Sequence, residues 1–160
     1  MTQRSIGIMQ GRLVPPLDNR IQAFPRENWA AEFDLAAAAR LDCIEWIYDA
    51  YGRDVNPLTS QDGNDHMRRL MGESGVAVRS VVADVFMDSP LVRAAPDELR
   101  ARLALLEMLL TCCATMRIVR IVLPFVDASS LQTREDRNDA RQAIESVLPT
   151  AERAGVEVHL

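Results

Sequence analysis

Five short apolar runs rich in β-branched residues recur along this chain at a nearly constant interval. They begin near residues 5, 43, 76, 118 and 156, so successive starts lie 33 to 42 residues apart. The runs are Ser5 to Met9 (SIGIM), Cys43 to Tyr48 (CIEWIY), Val76 to Val82 (VAVRSVV), Ile118 to Leu123 (IVRIVL) and Val156 to Leu160 (VEVHL). Continuous apolar runs of this length read as strands buried on both faces. Between them lie segments of helical spacing: Glu27 to Arg40, Asp62 to Ser74, Pro96 to about Thr115, and Arg134 to Arg153. Pro96 suits a first helical turn, and Gly75 and Gly155 stand where helices stop. Each interval therefore holds one strand, one loop and one helix, giving βαβαβαβαβ. Parallel strands need such crossovers, and their helices cover the sheet.

Two α/β architectures satisfy this beat. One is a flavodoxin-like, doubly wound sheet of five strands, complete at 160 residues. The other is a (βα)8 TIM-type barrel of which only the first four βα units and the fifth strand are present, since a full barrel takes about 250 residues. Periodicity does not choose between them. No low-complexity linker interrupts the chain, so residues 1–160 read as a single domain.

Composition narrows the partners. The net charge of −5 and a balanced 26% of charged residues give no basic surface for nucleic acid or an anionic membrane. No apolar run approaches the roughly 20 residues of a membrane span, and no signal-peptide core is present. The three cysteines, Cys43, Cys112 and Cys113, form no CxxC motif and read as reduced thiols in a cytoplasmic protein. All 18 basic residues are arginine, so no lysine serves as Schiff-base nucleophile or general base. A small molecule or another protein is the expected partner.

In either architecture the chemistry gathers at the carboxyl ends of the strands. Those ends present Gln10, Gly11 and Arg12, then Glu45, Trp46 and Asp49. Ser80, Asp84 and Phe86 follow, then Pro124, Phe125 and Asp127, and finally His159. The first loop, Gly11 to Arg26, is long and rich in proline. No GxGxxG, P-loop, GxSxG or HExxH pattern occurs, and GRLVPPLDNR lacks the Ser/Thr/Gly character of an FMN loop.

The segments IGIMQGRLVPP, IQAFP, DCIEWIYD, NPL, GVAVRSVVADVFMD, RIVLPFVDASSL and GVEVHL follow one another in the order and spacing of a known family. Together they resemble the amino-terminal half of the xylose-isomerase-like TIM-barrel family of sugar and sugar-phosphate isomerases and epimerases, which also includes the endonuclease IV type of DNA-repair enzyme. The resemblance implies metal-assisted proton transfer on an open-chain keto-sugar in the full-length family, with Mn, Mg or Zn as the divalent ion. It places the family's first metal-ligating glutamate directly after a segment matching GVEVHL, one residue beyond Leu160. Glu157 lies too early in its strand to substitute. No catalytic or metal-ligating residue therefore maps onto this chain, which is expected to bind no metal tightly and to be inactive alone. The endonuclease branch adds histidines where VVADVFMD and LPFVD have none.

Seven residues are assigned to substrate binding on this basis: Gln10, Arg12, Glu45, Trp46, Asp84, Phe125 and His159. Each has a plainer alternative. Glu45 in an apolar strand is costly unless paired or facing a wet cavity; its alternative is an ion pair with Arg12 or Arg79. Arg12 offers a bidentate fork for phosphate or carboxylate, or a surface ion pair. Trp46 and Phe125 wall a sugar or fill the core. Asp84, like Asp88 and Asp127, caps a helix or binds substrate. His159 neighbours the absent glutamate, and His66 reads as a solvated helix residue. The alternative to an enzyme is a non-catalytic half-barrel that binds a sugar or a protein. Its first and fifth strands would be open edges, through which a homodimer is expected to form.

Overall fold

The computed structural model describes residues 5–20 and 22–160; Ile21, the first residue of the IQAFP segment, lies outside them. The chain divides into two compact units, Met1–Val82 and Ala83–Leu160.

The first unit contains strands β1 (Gly7–Met9), β2 (Cys43–Ile47) and β3 (Ala77–Val82), with helices α1 (Ala31–Ala38) and α2 (Gln61–Ser74) in the crossovers. β1 pairs in parallel with β2, placing Met9 beside Glu45, and β2 pairs in parallel with β3, placing Glu45 beside Ser80 and Trp46 beside Val81. The register slips between Ile44 and Glu45, so Arg79 is the extra residue opposite that step. Side chains alternate across a strand, so Met9, Glu45 and Ser80 share one face and Trp46 and Val81 share the other. The latter face meets the helices. Trp46 is fully buried against Phe24, Trp29 and Phe33, with ring centroids 5.8, 5.8 and 6.1 Å away. His66 is half-buried and stands edge-on to Trp29 at 4.9 Å, so it is a packing residue of α2 rather than a solvated one.

α2 begins where the Ser60 hydroxyl accepts from the Gly63 amide at 3.1 Å and ends at Gly75, whose φ of 74° only glycine adopts readily. Helix α1 is shorter than expected. Residues 27–30 form a turn before it, because the chain there is still completing the loop that brings Phe24 under Trp46.

The second unit contains α3 (Val85–Asp88), α4 (Pro96–Met116), β4 (Arg120–Val122), α5 (Arg134–Ala154) and β5 (Glu157–His159). β4 and β5 run parallel, with Arg120 beside Glu157 and Val122 beside His159. Ile121 is fully buried, whereas Glu157 and His159, on the opposite face, are exposed. α4 and α5 pack on each other through Leu106, Leu109, Leu110 and Cys113 from one and Ala140, Ala143 and Val147 from the other, all buried. α5 opens with a capping box between Thr133 and Asp136 and closes at Gly155. The short helix α3 occupies part of what reads in the sequence as loop; at four residues it is too brief for periodicity to reveal. No helix among the described residues is long and apolar enough to cross a membrane.

Candidate functional site

The turn that follows β1 is built around two buried polar side chains. Gln10 is fully buried, and its backbone amide donates to the Glu45 carbonyl at 2.9 Å. Its side-chain oxygen accepts from the Ile47 amide at 3.0 Å, tying the end of β1 to the end of β2. Glu32, on α1, reaches up from the helix side. Its Oε1 accepts from the Gly11 amide at 2.7 Å and the Leu13 amide at 3.3 Å, and the Arg12 backbone adds to the same cradle. Gly11 sits at φ 79°, and a Cβ there would lie 2.9 Å from the Ala23 carbonyl oxygen. Burial of Glu32, at 1% exposure, raises its carboxyl above the usual 4.5, and the backbone donors of Leu13, Gly11 and Arg12 oppose that rise.

The loop after β2 is fixed in the same manner. Asp49 is buried and accepts from the amides of Phe24 and Gly52, each at 2.7 Å. Asn56 accepts from the Trp46 indole at 3.0 Å and donates to the Ile47 carbonyl at 2.9 Å. Such side-chain-to-backbone bonds satisfy buried donors that no ladder reaches.

Three of the substrate-binding candidates come together around this end of β1 and β2. Glu45 is half-buried, and its Oε1 accepts from the Ser80 hydroxyl at 2.8 Å across the β2–β3 pair. That hydroxyl, rather than Arg12 or Arg79, is its partner. Arg12 is exposed, and its guanidinium makes no ion pair or hydrogen bond with a described residue. Gln10 is a brace, with no surface open to a ligand. Trp46 is on the other face, inside the aromatic core, and this corrects its assignment as a wall of a sugar site. The physical reason is parity: Glu45 and Trp46 are neighbours in a strand, so only one can face the open side.

The remaining candidates belong to the second unit. Asp84 is buried at the start of α3. Phe125 is half-buried and, with Leu131, Ala140, Ile144 and Leu160, lines an apolar groove of about 250 Å3 rimmed by Arg137, Arg141 and Glu145. His159 contacts Glu157 at 2.9 Å, and Arg120 lies 3.7 Å from the same carboxylate. The contacts with His159 and Arg120 hold the Glu157 carboxyl below its usual value.

Glu32 was absent from the sequence-derived site. Its signal is nevertheless present, since at three residues after Trp29 and four before Ala36 it falls on the apolar face of α1, where a carboxylate must find donors. Among the described residues no three His, Cys, Asp or Glu side chains converge to hold a metal ion.

No protein-family model and no curated protein matches the sequence. Solved structures do match. A D-psicose 3-epimerase with D-tagatose from Clostridium cellulolyticum H10 superimposes on 97% of this chain with a TM-score of 0.71 at 14% identity. The fold is that of half a TIM barrel. A 3-keto-D-glucoside 4-epimerase from E. coli matches over 98% with a TM-score of 0.67 at 18% identity. A xylose isomerase-like TIM-barrel protein from Mycobacterium smegmatis in complex with magnesium matches over 96%, with a TM-score of 0.63 at 13% identity. The half-barrel spans 51%, 55% and 53% of those three chains. This coverage agrees with the amino-terminal half expected from the sequence and leaves no place for the flavodoxin-like alternative. Identities this low show the fold alone.

Proposed function

We propose that this half-barrel is the sugar-binding portion of an isomerase or epimerase site that acts on an open-chain keto-sugar or sugar phosphate. The observation that carries the reading is Glu45: a half-buried carboxylate in the middle of β2, on the face turned away from the helices. The Ser80 hydroxyl bonds one of its oxygens, at 2.8 Å. A carboxylate fixed in this way retains acceptor capacity for sugar hydroxyls, and its rotamer is settled before the ligand arrives. Gln10 and Asn56 hold the backbone two residues beyond it, at the amide and the carbonyl of Ile47. The solved neighbours with D-fructose and D-tagatose support a ketose as the ligand class.

The described residues do not fit a divalent metal, although zinc and magnesium accompany two structural neighbours. The part assigned to this chain is binding and orientation rather than proton transfer. The absence of any disulfide among the described residues suits a reducing, cytoplasmic setting.

Calorimetric titration with D-tagatose tests the reading. The wild-type chain is expected to bind it, and Glu45→Gln to bind it at least about tenfold more weakly, the effect of losing one charge-assisted hydrogen bond. Equal binding by both would remove Glu45 from the site, and no binding of D-tagatose or D-fructose by the wild type would remove the sugar.

A further inference from the structure

The turn after β1 has an unusual support. A carboxylate with 1% exposure normally finds a cation, but Glu32 has none and takes backbone amides of Gly11, Arg12 and Leu13 instead. The Gly11 and Leu13 amides converge on one oxygen only where the backbone curls into a concave nest, and Gly11 supplies the left-handed residue that the curl requires. The turn is closed from the other side as well. A side chain at Gly11 would meet the Ala23 carbonyl, and the Phe24 amide that follows is tied to Asp49.

At the centre of this fixed turn stands Arg12, exposed and without an ion pair or hydrogen bond among the described residues. The arrangement leaves the anion on the helix side and the cation on the solvent side of the same three residues. Backbone amides hold Glu32 through Oε1, while its buried Oε2 finds no partner among the described residues; Arg12 is not drawn to it, and its guanidinium keeps five donors for an incoming group. A guanidinium on a rigid backbone loses less freedom on binding than one on a mobile loop, and its planar fork matches phosphate and carboxylate oxygens.

We propose that Glu32 is a positioning residue whose buried carboxylate holds the Gln10–Leu13 turn so that Arg12 reads an oxyanion substituent on the sugar. The inference rests on the sugar-binding reading above and refines it from sugars in general to sugars bearing a phosphate ester or a carboxylate. Glu32 itself touches no ligand. It acts through the backbone it holds, so its removal costs discrimination before it costs binding.

The test is a calorimetric comparison of D-fructose, D-fructose 6-phosphate and D-fructuronate, repeated with Glu32→Ala, Glu32→Gln and Arg12→Gln. The wild type is expected to bind at least one charged sugar about tenfold or more tightly than D-fructose, by a margin that shrinks as salt is raised. The phosphate and carboxylate arms show which oxyanion Arg12 prefers. Arg12→Gln and Glu32→Ala lose the margin, and Glu32→Ala keeps D-fructose affinity within about twofold. Glu32→Gln, which keeps one acceptor oxygen for the turn, restores part of it. A uniform loss for all three sugars in Glu32→Ala would make Glu32 a merely structural residue, and a wild type with no margin would remove the Arg12 contact; either overturns the proposal. Should Glu32→Ala fail to give a cooperative thermal transition, the comparison of Glu32→Gln with Arg12→Gln decides. Failure of the sugar reading is seen separately, in the binding of neutral ketose. In that case titration with inorganic phosphate alone, followed on the Arg12 Nε–H resonance, still tests the positioning: a shift in the wild type that is lost in Glu32→Ala supports it, and no difference overturns it.

Discussion

Two carboxylates, both nearly inaccessible, show how differently a buried acid can be accommodated. Asp136 accepts from the amides of Gln132 and Thr133, each at 2.9 Å, and pairs with Arg93 at 2.7 Å. The Thr133 amide is the leading cause that brings its carboxyl from 3.8 down to about 2. A lowered folded value means that the unfolded chain binds more protons in between, so the stabilisation is complete above pH 3.8 and is lost as pH falls toward about 2. Asp136→Asn is expected to flatten the stability profile across that window, read as denaturant midpoints against pH. Glu32 has the opposite sign. Its raised value means that the folded state holds the proton longer, so its contribution declines as pH rises from 4.5 through the raised value. The same chemistry was only partly legible in the sequence. Thr133 followed three residues later by Asp136 is a helix-start signature, whereas the turn that Glu32 serves lies 19 to 21 residues away and no local pattern announces it.

The elements follow local rules closely, with one exception that invites a test. α5 runs from Arg134 to Ala154 straight through Pro149, which lacks an amide donor and sits on the exposed side of the helix. Its neighbours Val147 and Ala151 are buried, so packing of the apolar face holds the helix past the residue that interrupts its ladder. Pro149→Ala is expected to raise the unfolding free energy by about 1–3 kcal/mol, because interior proline costs about 3 kcal/mol relative to alanine and context reduces the figure. Chemical denaturation measures it; an unchanged or lowered midpoint would mean that α5 is not continuous there. Strand positions were readable from their β-branched runs, to within one or two residues at most ends. The largest shift, at the start of α1, falls where the preceding loop has its own tertiary contact. Residues 27–30 turn because Phe24 must reach Trp46, and that contact spans 22 residues of sequence.

For the molecule as a whole, the resemblance to xylose-isomerase-like barrels and the structural matches agree on the fold, and the chain spans about half the length of the structures it matches. Among the described residues β1 pairs only with β2, and β5 only with β4. An apolar groove beside Phe125 and Leu160 is the kind of surface through which chains associate. Sedimentation velocity is expected to show concentration-dependent self-association at micromolar chain; a single monomeric species throughout would contradict this. With no converging metal donors among the described residues, the chain by itself is expected not to epimerise D-fructose or D-tagatose when Mn2+ or Mg2+ is added, as assayed by chromatography of the sugars. Metal-dependent turnover would show that a ligand set exists outside the pattern considered.

The sequence by itself determined the βα alternation, the helix starts near Asp62, Pro96 and Arg134, and the stops at Gly75 and Gly155, because those depend on neighbours a few residues away. Only the tertiary structure decided which of Glu45 and Trp46 faces the open side, and that Glu45 bonds Ser80 rather than an arginine. It alone placed Glu32 under the first turn. Strand parity is fixed by register, and register by partners 34 or more residues distant. A buried carboxylate is satisfied by whatever donors the fold delivers to it, and that delivery is a property of three dimensions.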